Sequence, residues 1–250
     1  MNSAIDQFNV SITRVRALMA IYQFLEAQST SALDLSDILR ASLVLAVSAL
    51  DYYVHEIVRI RMLEIHSGIR QEPNPPNNST QSAFSKFKVS LGNASEDRQL
   101  ILNSASWILD DLTQIYGNDF INTPQDISQI VSAISNRIDI KLNNTAWLEN
   151  EIRERHSYLS FQQPDKIADA VKLISSKKLW KEVANIMGKT DQEIKQQLSL
   201  IVDRRNKIAH EADINPTYNL GERWNIDENQ VNEAINFLEN LVKAIDSILT

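Results

Sequence analysis

Cysteine is absent from this 250-residue chain. That excludes disulfide frameworks, thiolate nucleophiles and Cys-ligated zinc. Glycine and proline are scarce, at 5 and 6 residues. A β-sandwich or barrel needs a turn signal about every 8–12 residues, so the scarcity points away from both. The most apolar stretch, Leu43 to Leu50, lies between Arg40 and Asp51 and falls well short of the ~20 residues of a membrane span. The N-terminus, MNSAIDQFNVSITRVRALM, lacks the basic, apolar, then small-residue order of a signal peptide. A soluble, cytoplasmic protein is therefore expected. The Asn-x-Ser/Thr matches at Asn78, Asn93 and Asn144 then meet no glycosylating compartment. Positive charge is also short: 25 Lys and Arg stand against 32 Asp and Glu, for a net charge of −7. Any nucleic-acid contact must come from a local basic cluster, since the overall field repels phosphate.

What is present is helical periodicity. The 43% of hydrophobic residues suffice for a sizeable core. Ile5, Phe8, Ile12, Val15, Leu18, Met19, Tyr22 and Leu25 predict an amphipathic helix over 4–27. A long helix is predicted from about Leu33 to His66, with Asp34 or Ser36 as N-cap and Gly68 at its end. Its middle is apolar on nearly every side, which marks a core helix. Residues 71–82, QEPNPPNNSTQS, read as a loop. Shorter helices are predicted over 95–116, 124–142, 164–174 and 177–187. Thr190 and Glu193 form a capping box for the next helix, and Asp227 caps the last one, with its stripe from Val231 to Leu249. The expectation is a single all-α, up-and-down helical bundle. Its core comprises about 1–70 and 190–250, with a helical insert over about 83–188.

One residue breaks the pattern. The stripe of the helix from Thr190 runs through 194, 198, 201, 205, 208 and 212, and position 205 is Arg. A guanidinium there needs a buried carboxylate, a cleft or a second subunit. His210 follows five residues later, about 140° around an ideal helix. The two therefore converge only if the helix loosens near Ala209, if the Arg reaches round, or across a two-fold axis. Asn206, four before His210, is placed to orient its ring. Arg204, Arg205 and Lys207 make a local basic cluster, diluted by Asp203, Glu211 and Asp213. On the core helix, Asp51 and His55 share a face, and Asp51 is a candidate partner for Arg205; alternatively the two pair with each other or lie on a solvated strip. Glu56, Arg59 and Arg61 read as surface charges. His55, His66, His156 and His210 show no zinc spacing.

The segment Asp203-Arg-Arg-Asn-Lys-Ile-Ala-His-Glu resembles the signature of the HEPN superfamily, an Arg followed after four to six residues by His. Arg205-Asn206-x3-His210 fits it, and Arg204 fits with five residues between. Ala49-Leu-Asp-Tyr-Tyr-Val-His-Glu-Ile-Val looks like the second helix of the RiboL-PSP-like branch. The resemblance covers roughly 33–66 and 190–250. It implies a metal-independent, cofactor-free endoribonuclease acting as a homodimer, a toxin or antiviral defence effector with an antitoxin or defence partner protein. Arg205 and His210 are then catalytic, with Asn206 in support; Arg204 and Lys207 bind substrate RNA; Asp51 and His55 are supporting residues. HEPN toxins silenced by nucleotide transfer carry a Tyr two residues after the His; here that position is Ala212, so control by that modification is not expected. Two other readings stand beside the enzyme: a non-catalytic HEPN-like module that binds a nucleotide or partner protein, and a helical scaffold.

Overall fold

A computed structural model describes residues 3–28, 33–75, 82–88, 112–113, 116–117, 129, 131–133, 135, 145–217 and 221–250. Among them are eight helices and no strand, beyond one isolated bridge between Ile214 and Arg223. The helices are α1 (Ala4–Glu26), α2 (Ser36–His66), α3 (Ala83–Lys88), α4 (Ala146–His156), α5 (Pro164–Lys172), α6 (Leu179–Met187), α7 (Asp191–Glu211) and α8 (Glu228–Leu249). The all-α expectation holds. The helices expected over 95–116 and 124–142 lie almost entirely outside the described residues. Contacts divide the chain into two units, residues 1–60 with 158–250, and residues 61–157. Residues 158–188, expected with the insert, thus group with the terminal helices.

In the first unit, helix starts follow local chemistry. Ser3 and Asp6 close a capping box on α1, Thr190 and Glu193 one on α7, and Asp227 accepts the Gln230 N–H at α8. Asp34 takes the Ser36 N–H at 2.9 Å, at the entry to α2. α2 is long and apolar enough to cross a membrane by length and composition, but over half of that window is buried, as in a core helix. Leu43, Val47, Leu50, Tyr53 and Val54 lie in the core with Phe8 and Ile12 of α1 and Ile235, Leu238 and Leu241 of α8. Each fully buried aliphatic side chain is worth about 1.5–3 kcal/mol. Tyr53 packs edge-on to Phe8 and donates to Asp246 at 3.0 Å. α6 packs on α7 and α8 through Leu179, Trp180 and Val183, which is why this amphipathic segment belongs with the terminal helices.

The second unit contains α3 and α4. Ser82 accepts the Ser85 N–H at 2.9 Å, starting α3. α4 carries buried Leu148, Ile152 and His156 at spacings of four, with Arg153 bonded to Glu149 and Arg155 to Glu151 on its outer side. The periodicity reading passed over this helix. Arg155 lies 4.7 Å over the Phe87 ring, and Phe87 packs edge-on to His156.

Candidate functional site

The segment Arg204–His210 is the C-terminal stretch of α7, and its setting depends on how that helix stops. Ala212 and Asp213 both take the left-handed conformation, at φ 52° and 58°. The Asp213 N–H returns to the Lys207 carbonyl at 3.0 Å, and so does that of Ala212. Left-handed backbone costs an L-residue about 1–2 kcal/mol, so something must hold it. The Asp213 carboxylate is fully buried and receives Arg40 Nε at 2.7 Å and both terminal nitrogens of Arg204, one at 2.8 Å. Arg40 also donates to the Trp224 carbonyl at 2.9 Å; Arg204 reaches the same oxygen at 3.3 Å and Asn225 O at 3.2 Å. The Trp224 N–H closes back on Asp213 O at 2.9 Å. Arg223 pairs with Asp34 and Asp37. One carboxylate between two guanidiniums thus clasps the helix end, the following turn and the start of α2. Burial pulls the Arg204 guanidinium below its ordinary pKa, and the Asp213 carboxylate works against that shift. A cleft of about 420 Å³ lined by Leu43, Ile201, Ile226 and Val231 borders Arg204; with both its terminal nitrogens engaged, Arg204 offers it no free fork.

The neighbouring arginine differs. Arg205 is half-buried, donates only to Asn206 Oδ1 at 3.1 Å, and has no acidic partner among the described residues. Its Nε is buried without a hydrogen bond. The expected pair with Asp51 does not form. Asp51 instead accepts the Phe161 N–H at 2.6 Å and Gln162 Nε2 at 3.2 Å. His55 Nε2 lies 3.8 Å from Asp51, and its ring is 4.4 Å from that of Phe161. Asp51 stands eleven residues beyond Arg40 on α2, about 16 Å along the axis. Asp51 and His55 secure the segment before α5.

Three further expectations change. Asn206 was expected to orient His210, but its oxygen faces Arg205. The basic cluster disperses: Arg204 goes to Asp213, Arg205 to Asn206, and Lys207 lies over the Trp224 ring at 4.6 Å. Glu56, Arg59 and Arg61 are more covered than surface charges, with side chains 18%, 13% and 16% exposed, and they pair at (i, i+3). His210 is exposed in the last turn of a helix that stays α-helical through Glu211. No loosening at Ala209 turns it toward Arg205. The sequence reading missed Asp213, Arg40 and Trp224. The available signal was an Arg at the border of the apolar run of α2 and an Asp just past a helix end.

The family model described as RiboL-PSP-HEPN matches residues 10–250. The chain belongs to the RiboL-PSP-HEPN family. No curated protein and no solved structure matches it. The HEPN match reaches beyond 33–66 and 190–250 and takes in the middle of the chain, which had no counterpart in the motif-level resemblance.

Proposed function

We propose that this HEPN protein is a metal-independent endoribonuclease in which Arg205 binds the scissile phosphate and His210 transfers protons. The observation that carries the reading is the contrast between adjacent arginines. Arg204 is neutralised by Asp213, whereas Arg205 is a half-buried cation with no acidic partner among the described residues. A guanidinium so placed suits a phosphate, which it grips bidentately while stabilising charge that develops on the phosphoryl oxygens. Asn206 then positions Arg205, and Arg204 acts in the scaffold.

The chemistry balances within RNA itself. The 2′-oxygen attacks phosphorus and loses its proton to a base; the bond from phosphorus to O5′ breaks, and O5′ gains a proton. The products are a 2′,3′-cyclic phosphate and a 5′-hydroxyl. An imidazole serves either transfer near neutral pH. Because Arg205 and His210 diverge by about 140° on one regular helix, the reading places them in a homodimer where two α7 ends share a cleft. A role as a cytoplasmic toxin or defence effector under a partner protein belongs to the same reading. Cleavage of single-stranded or transfer RNA in excess chelator is expected, with a loss of about 10²–10³-fold in Arg205→Ala and 10²–10⁴-fold in His210→Ala. Undiminished cutting by both variants would refute it.

The divergence also favours a second reading, a non-catalytic module that binds a nucleotide or partner protein through Arg205. A dimer structure separates the two: facing Arg205 and His210 side chains support the nuclease, and their separation on remote faces supports the binding module.

A further inference from the structure

Trp224 has no part in the motif, yet its placement is unusual. Its main chain is held from several sides, with the carbonyl taken by Arg40 and Arg204 and the N–H donated to Asp213 O. Its ring, by contrast, is only half-buried, with the Lys207 ammonium 4.6 Å over its face. Trp180 shows what a packing Trp looks like in this fold: it is 6% exposed, and its indole N–H donates to Pro164 O at 3.1 Å. The Trp224 indole N–H makes no such bond among the described residues. Lys207 and His210 are three residues apart on α7, hence neighbours on its surface. Lys207 and His210 thus lie on the side of α7 away from Arg205, and the Trp224 ring lies under the Lys207 ammonium.

We propose that Trp224 is a stacking shelf for an RNA base on the Lys207 side of the α7 end, covered by Lys207 until RNA binds; the proposal rests on the ribonuclease reading. Every base has a π-face, so a rigidly held, half-exposed indole binds single strands with little sequence preference. A partly solvated cation–π contact is weak, while a phosphate attracts an ammonium strongly. Lys207 then moves from ring to backbone phosphate, and the base takes its place. The main-chain clasp holds the Trp224 backbone in place throughout. This assigns Lys207 two partners in succession and makes Trp224 a specificity residue for single-stranded over paired RNA, whose bases are already stacked.

The test uses the full-length His210→Ala chain and a short single-stranded 2′-O-methyl RNA, which lacks the nucleophile, with binding read by fluorescence anisotropy. Trp224→Leu is expected to weaken binding about 5–100-fold, and Trp224→Phe to restore it to within about threefold. Lys207→Met should flatten the salt dependence of log K by about one unit of slope. If Trp224→Leu does not fold, the emission difference between the parent and Trp224→Phe reports the shelf directly, and RNA should quench it. Binding unchanged in Trp224→Leu, or an unquenched Trp224, overturns the shelf, and cutting of unmodified RNA by the chain with His210 intact then leaves the nuclease standing. A wild-type chain that neither binds nor cuts RNA removes both.

Discussion

At its N-terminal end, α7 is closed by Thr190 and Glu193, three positions apart, each bonding the other's backbone. At its C-terminal end it is closed by Arg40, Arg204, Asp213 and the Trp224 carbonyl, with partners as far as 184 positions apart. The first device is exposed and local, and forms wherever that tetrapeptide starts a helix. The second is buried and exists only once α2, α7 and the turn after α7 have met. Local caps mark where a helix begins, while a charge clasp records which elements are neighbours. The residues with chemistry to offer, Arg205 and His210, sit at the clasped end.

Removing one side of the clasp is the severest way to break this comparison. Asp213→Ala leaves two guanidiniums facing each other in a covered site, and losing one partner of a buried pair costs about 3–5 kcal/mol. In a chain of this size that lowers Tm by on the order of 10 °C, measurable by calorimetry. Next come the adjacent arginines. Arg204→Ala should cost about 2–3 kcal/mol by stranding Asp213 beside Arg40 alone. Arg205→Ala removes a buried donor that has no acceptor, so its effect on urea unfolding should stay within about 1 kcal/mol. Equal costs for the two would erase the distinction on which the site rests. The exposed end is expected to be more tolerant: Thr190→Ala should cost about 1 kcal/mol, chiefly as faster amide exchange in the first turn.

The smallest effect is in acid. The Thr190 backbone N–H, then its hydroxyl, hold the Glu193 carboxyl below its ordinary value; the Ser3 hydroxyl, then its N–H, do the same for Asp6. A depressed folded pKa means that the cap contributes fully above the unfolded pKa of about 4.3 for Glu and 3.9 for Asp. That contribution fades as pH falls through the lower folded value. Amide protection at the starts of α1 and α7 should therefore drop below about pH 4, and Glu193→Gln should remove that pH dependence from α7 alone. Protection that persists into strong acid would show that the boxes are not held by the carboxylates.

Much of the fold was legible because it is written in short-range patterns. The N-caps at Thr190 and Asp227, the stop at Gly68, and the stripe of α8 are all set by residues within one or two turns. α4 was passed over because its short buried stripe of Leu148, Ile152 and His156 sits among charges, although its (i, i+4) Glu–Arg pairs were visible. The site was legible as a segment but not as an arrangement. Spacing shows that Arg204, Arg205 and Lys207 are close in the chain; it does not show that Asp213 captures the first, Asn206 holds the second and Trp224 receives the third. In the sequence Asp213 reads as a diluting charge, because its burial depends on Arg40, 173 positions away.

The clasp also bears on kinetics. Arg40, Arg204 and Arg223 are balanced by Asp213, Asp37 and Asp34, so the positive charge left at this end of α7 is that of Arg205 and Lys207, within a chain of net charge −7. A polyanion approaching from afar meets the net negative charge first and feels the positive end of α7 only within a Debye length, about 8 Å at physiological salt. Moderate salt then screens the long-range repulsion more than the short-range contact. Encounter should quicken on adding salt before it slows, the reverse of what a uniformly basic RNA binder shows, and capture would favour ends and loops that can be presented without the rest of the strand.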